Sequence, residues 1–165
     1  MQSILRKPGE PNIYELLGSE VNSIQTEKRM LSSMTPTIVL KDDKPFLILG
    51  SPGGAQIITS VLQVILNVID FNMNIKKAVD APRIHHQWLP DKVVYEKDSF
   101  NGNVKNELKK MGYTFKDDDA KKRKIGMVAV IMIDNKNKII LGAFDKRGPG
   151  TADGYWFVSR LSFQT

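Results

Sequence analysis

Two adjacent glycines, Gly53 and Gly54, are the residues of this sequence whose placement points most directly to chemistry. They lie in the stretch GSPGG at residues 50–54, between a short apolar segment and a long one, where we predict that a strand ends and a helix begins. Without a Cβ, backbone amides at the positive end of a helix are open to the oxyanion of a tetrahedral acyl intermediate. A tight strand-to-helix turn with no ligand is the competing interpretation.

Two consecutive hydroxyls, Ser32 and Ser33, lie on the predicted loop that enters the first strand. Each can donate a hydrogen bond to a carboxylate, although a pair of serines is also common turn chemistry. The stretch therefore offers a candidate carboxylate clamp, with a simple turn as the alternative.

Two adjacent histidines, His85 and His86, fall in an extended segment, APRIHHQWLP. Neighbouring residues of an extended chain point to opposite faces, so they do not form a natural pair of metal ligands. A triad of Ser32, one of these histidines and Asp91 has no supporting spacing. Packing or hydrogen bonding is the preferred interpretation of both histidines.

The elements that must position these residues follow from the apolar pattern. It predicts four strands and three helices: strands at 37–41, 46–50, 127–133 and 138–144, and helices at 53–71, 75–80 and 103–111, with an extended stretch through 93–96. The first two strands are expected to be largely buried. In the long helix, polar residues form one narrow stripe: Gln56, Thr59, Ser60, Gln63, Asn67 and Asp70. Hairpins on either side of a helical middle favour an α+β fold, an antiparallel sheet covered by helices.

Size and composition indicate a single domain over residues 1–165, without cysteine and with a net charge of +6. The basic run KKRK at 121–124 follows Asp117, Asp118 and Asp119 and has no interleaved aromatic residues, so we expect a solvated loop rather than a nucleic-acid site. No apolar run is long enough to span a membrane. No leader pattern is visible at the amino terminus, and the compartment is left open.

Five ordered blocks of the sequence resemble the small subunit of gamma-glutamyltransferase: KPGEPNIY, EKRMLSSMTPTIV, GSPGG, TSVLQVILNVIDFNMN and APRIHHQWLPD. The resemblance runs from about Lys7 to Arg147. It implies the αββα layers of an amino-terminal-nucleophile (Ntn) hydrolase, of which this chain would form part of the sandwich. It also implies a threonine that attacks the γ-glutamyl amide of glutathione-like substrates, without any cofactor or metal.

The resemblance assigns roles to five residues. Ser32 and Ser33 would hold the α-carboxylate of the substrate, and the amides of Gly53 and Gly54 would form the oxyanion hole. Tyr14 matches the aromatic residue of a lid, so residues 8–19 would cover the bound glutamyl group.

The sequence departs from the family pattern at both ends. The nucleophilic threonine is expected upstream of the matched residues, no carboxylate stands near Ser3 to bind the substrate α-amino group, and residues 148–165 extend beyond the expected end. We therefore expect the carboxy-terminal part of a gamma-glutamyltransferase, inactive alone, with a separate chain supplying the large subunit and nucleophile. A non-catalytic remnant or glutamyl-binding module is the alternative, and a nucleic-acid-binding domain rests on charge alone.

Overall fold

The computed structural model describes residues 8–12, 15–29, 34–117 and 122–153. Within them a 3-10 turn, Glu20–Asn22, precedes strands β1 (Thr37–Lys41) and β2 (Lys44–Gly50) and helices α1 (Gln56–Ile69) and α2 (Ile75–Asp80). Strands β3 (Ile84–His85) and β4 (Val94–Tyr95), helix α3 (Gly102–Lys110) and strands β5 (Ala129–Asp134) and β6 (Ile139–Ala143) follow. The predicted order of hairpin, helices and hairpin is confirmed.

Four strands form one antiparallel sheet in the order β1-β2-β5-β6, and β3 and β4 form a small separate pair. Asp42 and Asp43 both have positive φ, at 52° and 58°, as the favoured two-residue hairpin turns require. In the second hairpin the Asp134 carboxylate accepts hydrogen bonds from the amides of Lys136 and Asn137, both at 3.0 Å. Both turns are therefore tight hairpin turns, as their aspartate and asparagine residues predicted.

The core lies between one face of this sheet and the helices α1 and α2. Its buried apolar residues come from β2, β5 and the residue before it, β6 and both helices, and include Leu47, Leu49, Val61, Val64, Ala78, Val79, Val128, Val130 and Ala143. The α+β fold class, an antiparallel sheet covered by helices, follows directly from this arrangement.

The other face of the sheet is apolar and uncovered by the described residues. Ile38 pairs with Ile48, and Ile48 pairs with Ile131, so the three side chains form one row across β1, β2 and β5. Their exposed fractions are 62%, 37% and 43%. The expectation that both strands of the first hairpin are largely buried is therefore wrong, because the helices cover a single face.

The middle of the polar stripe of α1 faces β3 and α2. Gln63 donates to the carbonyl of Ile84 at 2.7 Å and accepts from its amide at 3.0 Å, and Asn67 donates to the carbonyl of Ala78 at 3.1 Å. Exposed apolar side chains, among them Ile58 and Leu62, lie on the same helix. The stripe is thus a row of hydrogen bonds that attaches β3 and α2 to the helix.

The start of α1 differs from the sequence expectation. Helix α1 begins at Gln56 rather than at Gly53, because Gly53 and Gly54 have positive φ values of 135° and 57°. No helix of the described residues is long and apolar enough to cross a membrane.

Candidate active site

The glycine loop, residues 51–54, connects β2 to α1, and Gly53 and Gly54 are half-buried in it. The carbonyls of Gly53 and Gly54 accept hydrogen bonds from the amides of Gln56 and Ile57, each at 3.1 Å, which closes the first turn of the helix. Among the described residues, no atom accepts a hydrogen bond from the amides of Gly53 or Gly54. The side chain of Ala55, at the N-cap, offers no acceptor.

These two amides lie where the helix dipole adds positive potential. Unsatisfied amides at the start of a helix carry about half an elementary positive charge in total, so an anion placed there is stabilised. A 14-residue helix is long enough to develop this dipole. The loop therefore has the donors and the field that a developing oxyanion needs.

A second backbone segment, residues 125–128, lies against the glycine loop. A Cβ built on Gly53 would be 3.3 Å from the Cα of Gly126, and the hydroxyl of Ser51 accepts a hydrogen bond from the amide of Met127 at 2.9 Å. We call residues 125–128 the supporting segment. It forms the surface on which the glycine loop rests.

The supporting segment is fixed by a buried ion cluster of four side chains, Arg83, Glu96, Asp145 and Arg147, which are at most 8% exposed. Glu96 accepts from the amide of Ile125 at 2.7 Å, and Arg83 donates to the carbonyl of Ile125 at 2.9 Å. Asp145 accepts from the amide of Val128 at 2.8 Å. Both ends of the supporting segment are thus held by charged groups.

The cluster is internally neutral and also binds the end of α2. Arg83 pairs with Asp145 at 2.7 Å, while Arg147 pairs with Asp145 at 2.9 Å and with Glu96. The two guanidinium groups donate to the carbonyl of Val79, at 2.7 and 3.0 Å. Because every charge has an opposite partner, the cluster escapes the large penalty of an isolated buried charge.

Burial and pairing act in opposite directions on the carboxyl groups of the cluster. Burial raises the pKa of Glu96, but hydrogen bonds from the Arg147 side chain and the Ile125 amide outweigh it and leave that pKa below its ordinary value. Burial also raises the pKa of Asp145, but hydrogen bonds from the Val128 amide and from Arg147 lower it by more, so this pKa too lies below its ordinary value. Both carboxyls are ionised at neutral pH.

Comparison with known proteins decides the family. The family model described as gamma-glutamyltranspeptidase matches residues 1–155 of the 165. The chain belongs to the gamma-glutamyltranspeptidase family. The glutathione hydrolase proenzyme of Escherichia coli (strain K12) is 44% identical over 147 residues, covering 89% of this chain and 24% of its own. That of Bacillus subtilis (strain 168) is 43% identical over 141 residues, covering 86% and 23%.

Solved structures of the family share this fold. A mutant gamma-glutamyltranspeptidase of Helicobacter pylori is 51% identical with a TM-score of 0.80, over 88% of this chain and 77% of that chain. The enzyme of Pseudomonas nitroreducens complexed with L-DON is 41% identical, also with a TM-score of 0.80, over 93% and 78%. The predicted fold, part of the αββα Ntn-hydrolase sandwich, is confirmed. The chain spans about a quarter of the length of the curated relatives it matches.

Of the residues that the family resemblance singles out, the glycine pair lies within the described structure. Ser32, Ser33 and Tyr14 lie outside the described residues. Parts of the predicted lid, residues 8–19, are described: the Gly9 amide donates to the carbonyl of Gly18 at 3.0 Å. Asn12 closes a turn by accepting from the Leu16 amide at 3.1 Å.

The two histidines have different surroundings, as adjacent residues of an extended segment should. His85 is buried and bonded through Nδ1 to the Thr59 hydroxyl at 2.9 Å, whereas His86 pairs with Asp91 at 2.7 Å near the surface. The described residues contain no group of three or more His, Cys, Asp and Glu side chains that could hold a metal ion. Both histidines thus make the hydrogen bonds that the sequence favoured.

A cleft of about 210 Å³ opens beside the first residues of α1. Gln56 lines it together with three basic side chains, Lys92, Lys116 and Arg123, and one acidic side chain, Glu15 from the lid segment. The cleft is therefore polar and carries an excess of positive charge next to the glycine loop.

Two side chains of the basic run, Arg123 and Lys124, are hydrogen-bonded to neighbouring backbone. Arg123 donates to the carbonyl of Lys116 at 2.9 Å, and Lys124 donates to the carbonyl of Arg147 at 2.9 Å. These two side chains fasten the segment that leads into the supporting segment. Lys124 is exposed and Arg123 is half-buried, so the solvated-loop interpretation of the run stays a prediction.

Sequence reasoning missed Gly126 and Glu96. Gly126 was detectable only as a glycine immediately before an apolar strand, which is also an ordinary turn signal. Glu96 was a charged residue ending an extended stretch. Neither signal reveals that distant parts of the chain meet at the glycine loop.

Proposed function

We propose that this chain forms the substrate-binding and oxyanion-hole portion of a gamma-glutamyltransferase. Such an enzyme transfers or hydrolyses the γ-glutamyl group of glutathione-type substrates. The observation that carries the proposal is the pair of amides at Gly53 and Gly54, which have no acceptor among the described residues and lie at the start of α1 in a chain of this family.

The proposed chemistry follows from where negative charge develops. A threonine hydroxyl, which the family resemblance places upstream of the matched residues, attacks the γ-carbonyl carbon and gives a tetrahedral intermediate. The amides of Gly53 and Gly54 donate to its oxyanion. Collapse of the intermediate breaks the C–N bond, and the proton lost by the threonine hydroxyl passes to the departing amine. The γ-glutamyl ester that remains is then cleaved by water or an acceptor amine.

The substrate end of the site is proposed from the family match. Ser32 and Ser33 would donate to the α-carboxylate of the glutamyl group, and residues 8–19, with Tyr14, would cover it. The hydrogen bond between Gly9 and Gly18 and the bridge between Pro11 and Leu17 support a lid that behaves as one closed loop. Glu15 of this loop already lines the cleft beside α1.

The proposal requires a partner segment for the uncovered sheet face. The row of Ile38, Ile48 and Ile131 is the apolar surface on which a second sheet can pack, about 10 Å away. In an αββα sandwich that second sheet would come from the large-subunit portion. We expect the segment upstream of the matched residues to bring the threonine to the glycine loop.

A hybrid enzyme tests the proposal. In it, the residues of this chain replace the matched residues of the Escherichia coli glutathione hydrolase proenzyme, and release of the amine from a γ-glutamyl anilide is measured. We expect turnover by the hybrid enzyme and none by the isolated chain. A hybrid that is folded and processed but inactive would refute the proposal.

A paired substitution separates binding from chemistry. Ser32→Ala combined with Ser33→Ala is expected to raise KM for the γ-glutamyl donor by about tenfold or more, because hydrogen bonds to a charged group contribute about 1.5–3 kcal/mol. The value of kcat should change much less. Equal losses in kcat and kcat/KM, with KM unchanged, would show that these hydroxyls act in the transition state instead.

The alternative, a glutamyl-binding module without catalysis, makes a different prediction. Calorimetry with glutamate and with glutathione would then detect binding to the isolated chain, while the hybrid enzyme would remain inactive. Binding by the chain together with turnover by the hybrid enzyme would favour the catalytic proposal.

A further inference from the structure

We infer that Gly126 is a positioning residue for the oxyanion hole, acting through its contact with the glycine loop. The inference rests on the proposed function and adds a residue to it. It concerns how the amides of Gly53 and Gly54 are held, and Gly126 itself touches no reacting atom.

The first argument is steric. Gly126 has a φ of 63°, and a Cβ at this position would lie 2.3 Å from Oγ and 2.8 Å from Cβ of Ser60, and 2.9 Å from Oγ of Ser51. Real Cβ atoms do not approach other atoms so closely, so any side chain at 126 must displace α1, the glycine loop or the supporting segment. Glycine is required here by both conformation and space.

The second argument is that a side chain at position 126 cannot easily displace α1. Ser60 lies on α1, is fully buried, and its hydroxyl donates to the carbonyl of Ile125 at 3.4 Å. The supporting segment is also fixed, because the ion cluster holds Ile125 and Val128 on either side of Gly126. The glycine loop, whose two amides lack described acceptors, is the least constrained of the three elements.

A substitution at 126 is therefore transmitted to the glycine loop. The Cα of Gly126 already lies within 3.3 Å of the place where a Cβ of Gly53 would be, so the two backbones are in direct contact. A shift of about 1 Å in an oxyanion-hole donor is enough to lower turnover strongly, because the donors must meet the oxyanion at about 2.7–3.1 Å.

The chain offers a matched control at Gly112. It also has positive φ, at 97°, yet a Cβ there would meet nothing within 4 Å. Gly112→Ala thus introduces backbone strain without a contact, while Gly126→Ala introduces both. Any difference beyond stability reports the contact with Ser60 and the glycine loop.

The first experiment measures the amides themselves. In the isotope-labelled chain, the amide resonances of Gly53 and Gly54 are expected to shift in Gly126→Ala and to stay unchanged in Gly112→Ala. Adding Ser60→Gly to Gly126→Ala removes both Ser60 clashes and should move the resonances back towards those of the parent. Unchanged Gly53 and Gly54 resonances in a folded Gly126→Ala chain would overturn the inference.

The second experiment uses the hybrid enzyme. Gly126→Ala is expected to lower kcat by about tenfold or more with KM within about twofold, and Ser60→Gly should recover part of the loss. A merely structural role would instead lower the amount of folded enzyme and leave the kcat of the folded fraction intact, which would contradict the inference. If the parent hybrid is inactive, the proposed function fails, and the resonances decide the role of Gly126 separately.

If Gly126→Ala does not fold, Ser51→Ala replaces it. This variant keeps the glycine and removes the hydrogen bond from the Met127 amide to the loop. The inference predicts a shift of the Gly53 and Gly54 resonances in this variant too, and their constancy would overturn it.

Discussion

The glycine loop and the supporting segment are two backbone stretches in contact, and they differ in whether their amides have hydrogen-bond acceptors. In the supporting segment, the amides of Ile125, Met127 and Val128 each donate to a side chain. In the glycine loop, the amides of Gly53 and Gly54 have no acceptor among the described residues. The contrast shows how a fold can keep two donors available: three amides of the backbone against which they rest have their own acceptors.

This difference has an energetic basis. A buried amide without a partner costs about 1–3 kcal/mol, so the amides of the buried residues Ile125 and Val128 must be satisfied, and here the ion cluster supplies the acceptors. Donors that await a ligand must instead be reachable, and Gly53 and Gly54 are half-buried. Fixed donors need no reorganisation when charge develops, which is the main advantage of an oxyanion hole over water.

The largest effect is expected from breaking the ion cluster. Arg147→Met leaves Glu96 and Asp145 with Arg83 as their remaining cationic partner in the cluster. Removing one member of a buried ion pair costs about 3–5 kcal/mol, so the free energy of unfolding in urea should fall by about that amount. Lys146→Met, at the exposed neighbouring position, is the control and should change it by less than about 0.5 kcal/mol. Equal effects would mean that the cluster does not support the fold.

A comparable effect on turnover is expected from Gly53→Val. Valine at a φ of 135° is strained, and its Cβ would press on Gly126 and occupy the approach to the amides. Loss of one oxyanion-hole donor lowers kcat by about 10²–10³. The measurement is kcat of the hybrid enzyme, with Gly112→Val as a control that has similar strain in open space. If both variants lose kcat alike, strain rather than the loop explains the loss.

Acidification should loosen the supporting segment before the rest of the fold. The folded-state pKa values of Glu96 and Asp145 lie below their ordinary values, so their stabilising contribution is present above the unfolded-state pKa values of about 4. It is lost as the pH falls through the lower folded-state values. We expect the urea midpoint to decline below about pH 4 and to decline less steeply in Glu96→Gln. A midpoint independent of pH down to about pH 2 would contradict this.

Much of the fold could be predicted from the sequence because its signals are local. The apolar runs gave the four strands of the main sheet and the three helices to within a few residues, and the glycine pair was recognisable as a strand-to-helix junction. The polar stripe on α1 was predicted, but the side of the helix that it faces was not. In a sequence, polar residues that bond to neighbouring elements cannot be told from polar residues that face solvent. Thr59, Gln63 and Asn67 bond to groups 11–26 residues away.

The supporting segment could not be predicted either, because its hydrogen-bond partners are still farther away in the sequence. Its partners, Glu96 and Arg83, are 29 and 42 residues from Ile125 in the chain. Charged residues in sequence are ordinarily surface residues, and nothing in their spacing indicates that four of them meet in the core. The uncovered face of the sheet escaped prediction as well, since apolar strands look buried whether their second layer lies in the same chain or elsewhere.

The smallest effect is expected from loosening the one side-chain link between the two stretches. Ser51 accepts from the Met127 amide at 2.9 Å and donates to the Pro52 carbonyl at 2.7 Å. Ser51→Ala should lower the free energy of unfolding by about 1 kcal/mol, the usual contribution of one hydrogen bond. Ser23→Ala, which removes an exposed hydroxyl bonded to the carbonyl of Glu20, is the matched control and should have less effect. Because this hydrogen bond joins the supporting segment to the glycine loop, equal effects of the two alanines would mean that it does not stabilise the contact between them.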